Sequence, residues 1–93
     1  MATLECFCIG GMKLWFWSHD HRPPHFHAKR CGEWEVRVNF LESPGQMFDF
    51  IWIAKKARMS RQDRKLLEEM VERHRMLLLS EWERKVVPDE NLN

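Results

Sequence analysis

The sequence predicts an α+β fold, a small antiparallel sheet of three to four strands packed against one long C-terminal helix. Three observations predict it. Trp34, Val36, Val38 and Phe40 alternate with Glu33, Glu35, Arg37 and Asn39, the two-residue period of a strand with one buried and one wetter face. From Ser60 the chain is highly charged and free of Gly and Pro until Pro88, and its apolar residues recur at helical spacings. The first half is aromatic and β-branched, and the turn-forming stretches HDHRPP, CGE and ESPGQ cut it into short pieces.

Each element follows from local chemistry. The first strand is expected at about Met12 to Trp17. Proline lacks a backbone donor and biases the residue before it to extended geometry, so Pro23 and Pro24 deliver the chain into a second strand, about His25 to Lys29. Cys31 and Gly32 supply a tight turn into the third strand, about Glu33 to Phe40. A fourth, about Met47 to Ile53, is apolar on both faces, which calls for cover from two sides or for a partner. Ser60 is the expected helix N-cap, with Asp63 in the place of a capping-box acid. Leu67, Met70, Val71, His74, Leu78 and Trp82 form the stripe that covers the sheet, with Leu66 and Leu77 at its margin. Met76 and Leu79 lie off that stripe. Residues 1–11 read as an N-terminal arm or short strand, 12–86 as the core of a single domain, and 87–93 as a polar tail.

At 93 residues the chain has room for one modest core. Its 15 Lys plus Arg against 14 Asp plus Glu leave a net charge of +1, so nucleic acid is not a favoured partner. The one basic cluster, Lys55, Lys56, Arg58, Arg61, Arg64 and Lys65, is diluted by Asp63, Glu68 and Glu69 and reads as a solvated face. No apolar run approaches the roughly 18 residues of a membrane span, and the start MATLECFCIGGMK lacks the pattern of a signal peptide. Three cysteines, an odd number, point to reduced thiols. A cytoplasmic protein is the expectation.

PPHFH at Pro23 to His27, the preceding LWFWS, the amphipathic strand after the turn and the helix ending ERHRMLLLSEWER resemble a small bacterial family of unknown function. The resemblance spans about Met12 to Arg84, with Pro23, Pro24, His25, Phe26, His27, His74, Arg75, Trp82 and Glu83 matching its pattern. Members of that family are often labelled as regulators or found beside toxin–antitoxin-type genes, which implies a regulatory task. The stretch from about Glu42 to Met59 departs from the pattern, and Ser60 stands where family members have a proline.

Four of the five histidines, His19, His21, His25 and His27, fall within nine residues around the double proline. Imidazole binds metals and moves protons near neutral pH, so this cluster is the candidate site. On a strand, His25 and His27 share one face and can converge on one ion such as zinc, with a third ligand from His19, His21, Asp20 or Glu35. The CxC of Cys6 and Cys8 lacks the spacing of a structural zinc site. A small His-dependent or metal-dependent enzyme, nuclease-like, would use His25, His27 and His74 with Arg22, Lys29 or Arg37 for acid–base work and charge stabilisation. Strand parity opposes that trio, because Phe26 and Ala28 face the helix while His74 belongs to the helix stripe. His74 is expected instead to bond a backbone carbonyl or Glu81.

The leading expectation is a binding module. Trp15, Trp17, Pro23, Pro24, His25, His27 and Arg37 would form the contact surface, for a protein partner or a second copy in a homodimer, since such a composition suits an interface centre. The competing expectation is that residues 1–11 fold back and cover the first strand.

Overall fold

The structure is a computed structural model that describes residues 1–86, so the expected polar tail at 87–93 lies outside the described residues. Five antiparallel strands lie side by side in chain order: β1 (Ala2–Thr3), β2 (Lys13–Phe16), β3 (Phe26–Arg30), β4 (Trp34–Val38) and β5 (Phe48–Ile53). One helix, α1 (Arg61–Lys85), follows and packs on the sheet. This is the α+β fold the sequence predicts, with five strands instead of three to four.

The register follows the hydrophobic alternation. Leu14 pairs with Ala28, Ala28 with Val36 and Val36 with Phe50, which puts these residues on the helix side. Trp15, His27, Arg37 and Asp49 form the next row across the sheet and point away from α1. Between β3 and β4, Gly32 adopts φ +78, a left-handed conformation that favours glycine, and the Glu33 N–H donates to the Arg30 carbonyl at 3.0 Å. Between β4 and β5 the pairing steps by one residue on β4 and two on β5, leaving Ile51 as the extra residue of a bulge.

Helix α1 begins where Ser60 accepts the Asp63 N–H on its Oγ at 3.0 Å, as the N-cap expectation has it. The Asp63 carboxylate does not turn back to complete a capping box. It takes both arms of Arg30 instead, Nε at 2.9 Å and Nη2 at 2.8 Å, and so ties the end of β3 to the start of α1. Leu67, Val71, Leu78 and Trp82 are buried as expected. Glu81, which shares their spacing, is buried with them, while Met70 and His74 are only partly covered and Leu66 and Leu77 are exposed. At His74 the backbone leaves helical geometry (φ −120, ψ 16). Its Nδ1–H donates to the Met70 carbonyl at 2.8 Å, the acceptor that a regular helix reserves for the residue's own N–H.

The N-terminal segment is part of the core rather than an arm outside it. β1 pairs with β2, and Leu4, Phe7 and Ile9 are buried in the same cluster as Phe16, Phe26, Trp34 and Trp82. Among the described residues no helix is long and apolar enough to cross a membrane.

Candidate functional site

The loop between β2 and β3 and the first residues of β3 bring together Asp20, His25 and His27. The Arg22–Pro23 peptide bond is cis, and Pro24 is buried while Pro23 is exposed. Just before β3, His25 donates from Nδ1 to the Pro23 carbonyl at 2.8 Å. Its Nε2 lies 2.7 Å from Asp20 Oδ2, and His27 Nε2 lies 3.1 Å from the same oxygen. Both imidazoles are nearly inaccessible, at 2% and 4% exposure. Asp20 is held from its other side, where Oδ1 accepts the His21 N–H at 3.0 Å.

The walls of the site are aromatic. Trp15 stacks on His27 with ring centroids 5.4 Å apart and an interplanar angle of 18°, and Trp17 meets the same ring edge-on at 6.2 Å. Trp82 of α1 comes within 5.5 Å of the His25 ring. The two histidines therefore differ. His27 faces away from the helix, as parity requires, but His25 precedes the strand and turns round its end against Trp82. The Nδ1 of His27 has no hydrogen-bond partner among the described residues, and Glu35 Oε2 stands 3.9 Å from it.

Charge follows burial and pairing. Burial pushes the Asp20 carboxyl up, yet the hydrogen bond from His27, the neighbouring His25 and the His21 N–H outweigh it and hold the group below its ordinary range. Burial drives the His27 imidazole below its ordinary value, and the attraction of Asp20 and Glu35 recovers only part of that.

Of the residues singled out from the sequence, Trp15, Pro24, His25 and His27 are buried within the chain itself, whereas Trp17, Pro23 and Arg37 are exposed. Among the third-ligand candidates, the structure brings in Asp20. Glu35 approaches the opposite nitrogen of His27, and His19 and His21 are exposed in the loop. His74 does not join the cluster. It precedes Trp82 by eight residues, about 12 Å along a helix, and its ring packs on Phe7 at 5.2 Å. Its partner Arg75 donates from Nε to the Phe40 carbonyl at 2.9 Å, beyond the end of β4. Glu81 is the residue that sequence reasoning undervalued. Its place three residues after Leu78 and one before Trp82 was the available signal.

A five-stranded meander backed by one helix, with a histidine–aspartate cluster at the start of its central strand, defines a small α+β domain. The chain belongs to the family described as domain of unknown function (DUF4160), whose family model matches residues 11–83. That span takes in β2 to β5, the histidine cluster and nearly all of α1, and leaves out β1. No match was found among curated proteins or among solved structures.

Proposed function

We propose that this domain is a protein-binding module that works as a homodimer through the open edge of β5, in a regulatory task of the kind the family resemblance implies. The observation that carries this reading is the run Phe50, Ile51, Trp52 and Ile53, each between 37% and 48% exposed, on a strand with a sheet neighbour on one side only. Proteins that stay monomeric blunt such edges with charge, proline or a bulge; β5 carries a bulge at Ile51, yet within Phe48–Ile53 only Asp49 is charged and the edge stays apolar. The expected apolar contact surface thus moves from His25 and His27, which are buried, to the β5 edge, while Trp17 and Arg37 stay exposed on the sheet face away from α1.

A second copy suits this edge. Antiparallel pairing about a two-fold axis between Phe50 and Ile51 sets Phe48 opposite Ile53 on the helix side and Asp49 opposite Trp52 on the other. Lys29 Nζ rests 5.9 Å from the Trp52 ring, so the acid of each copy comes alongside the base of the other. A cytoplasmic setting suits the chain as well, because the Cys6 thiol donates to Glu81 Oε1 at 2.8 Å, a role that requires it reduced.

Sedimentation or light scattering tests the proposal. The expected result is a dimer that Ile51→Lys converts to monomer with an unchanged far-UV spectrum, since a lysine at an exposed edge position blocks pairing without touching the core. A wild-type protein that stays monomeric at about 100 μM, which means a Kd weaker than roughly that value, or a variant that still dimerises, overturns it.

A further inference from the structure

We infer that Asp20, His25 and His27 form a binding site for one divalent transition-metal ion, with Glu35 as the outer partner of His27. The site is separate from the β5 edge and does not depend on dimerisation.

The donor atoms are already gathered. His25, His27 and Asp20 each offer one ligand atom, all within 4.8 Å of one another, and the two Nε2 atoms lie 2.7 and 3.1 Å from Asp20 Oδ2. Four-coordinate zinc, with bonds of about 2.0–2.2 Å to nitrogen and oxygen, spaces its ligands roughly 3.3 Å apart. Opening those two contacts by about 0.6 and 0.2 Å, and bringing the third spacing to match, admits the ion.

The hydrogen-bond inventory points the same way. A neutral imidazole has one donor and one acceptor nitrogen. His25 faces an acceptor on both sides, the Pro23 carbonyl at Nδ1 and the Asp20 carboxylate at Nε2, so a neutral ring that serves the carbonyl turns its lone pair on a carboxylate. A second proton on Nε2 resolves that conflict, and so does a metal ion bound there in its place. The ion leaves Nδ1–H on a backbone carbonyl, the arrangement that orients histidine ligands and fixes their tautomer.

His27 carries an independent sign. Its side chain is only 5% exposed, and its Nδ1 is without a hydrogen-bond partner among the described residues. Binding a metal through Nε2 places the proton on Nδ1, where Glu35 Oε2 at 3.9 Å is the nearest acceptor and needs only a small approach. Two imidazoles and one carboxylate favour zinc and its first-row neighbours over magnesium or calcium, which prefer all-oxygen shells. The partly exposed Asp20 side, at 15%, gives the ion its approach and leaves a further coordination position toward solvent.

Calorimetric titration of the full chain with Zn²⁺ tests the site. The expected result is one ion per chain, with affinity lowered at least about tenfold by Asp20→Asn and by His27→Gln, and lowered less by Glu35→Gln. His19→Ala leaves it within about threefold, a spread set by ordinary context dependence. Cobalt(II) added to the wild-type chain gives the intense visible bands of a four- or five-coordinate nitrogen–oxygen site. This second readout keeps the test sharp if His27→Gln fails to fold. Absence of stoichiometric zinc, cobalt spectra of the hydrated ion only, or zinc affinity unchanged in a folded Asp20→Asn variant overturns the inference.

Discussion

Glu81 is buried to 1% exposure, and each of its oxygens is engaged. Oε2 accepts the Glu5 N–H at 2.7 Å and the Lys85 ammonium at 2.7 Å, while Oε1 accepts the Cys6 N–H at 3.1 Å and the Cys6 thiol. A helix residue thus terminates the backbone of the segment after β1. Burial raises the Glu81 carboxyl, but the Cys6, Lys85 and Glu5 contacts outweigh it and hold the group below its ordinary 4.5. Burial lowers Lys85, and its bonds to Glu5 and Glu81 outweigh that and hold it above 10.5. The signs follow from linkage. The Glu81 contribution to stability is complete above pH 4.5 and is lost as pH falls through its lower native value; that of Lys85 is complete below pH 10.5 and is lost as pH rises through its higher one. Urea midpoints measured from acid to alkaline pH should decline at both ends, and Glu81→Gln should flatten the acid limb at the expense of overall stability. An unchanged acid limb in that variant removes Glu81 as its source.

The same residue governs a neighbouring thiol. Burial, with the hydrogen bond and negative charge of Glu81, pushes Cys6 up to about 12. Since the thiolate is the reactive species, iodoacetamide at mild alkaline pH should alkylate the exposed Cys8 and Cys31 first, with Cys6 at least about tenfold slower until the protein is unfolded. Peptide mass spectrometry reads the order directly, and equal rates for the three in folded protein contradict it.

At the scale of elements, the join between sheet and helix rests on Arg30 and Asp63. The side chains are 25% and 16% exposed, so solvent screening weakens the pair, but its two parallel hydrogen bonds give it more than an ordinary surface contact. A double-mutant cycle with Arg30→Ala and Asp63→Ala should return a coupling of about 1 kcal/mol by thermal or urea unfolding. Ser60→Ala should separately cost about 1 kcal/mol through the lost cap. Coupling near zero would mean that the two residues act independently.

The elements differ in how plainly the sequence announces them. β4 was legible because tertiary structure keeps its alternation, with Trp34, Val36 and Val38 inside and Arg37 outside. α1 was legible at its start because Ser60 caps it through local chemistry. β1 was not, for two residues carry no period and their partners on β2 lie 12 and 14 residues further along the chain. Asp63 reads as a local acid because nothing near it in sequence reveals that Arg30 arrives from another element.

At the scale of the molecule, the fold class was legible and the site was legible only in outline. The prolines and the spacing of His25 and His27 located the cluster, but strand parity holds only for His27, because His25 precedes β3 and packs on Trp82 of the helix. What spacing could not give was the fold of the loop from Ser18 to Arg22, which chooses Asp20 over His19, His21 and Glu35 as the group facing both rings. It also gave no sign that Trp15 would stack on His27 and bury it, since that depends on the pairing of β2 with β3.

The order of the strands across the sheet is also the order in which a ribosome would make them. Each hairpin from β2 onward can zip as it emerges, because every new strand finds its neighbour already present. The cover arrives last. Until α1 is made, Phe26, Trp34 and Val36 have no helix to lie against, and Glu5 and Cys6 wait for an acceptor 76 and 75 residues downstream. Early synthesis therefore yields an uncapped apolar sheet, and the closing turns of the helix convert it into a finished domain while tethering its N-terminal segment. A chain that ends before Glu81 carries all five strands but lacks the residue that ties down the backbone of Glu5 and Cys6.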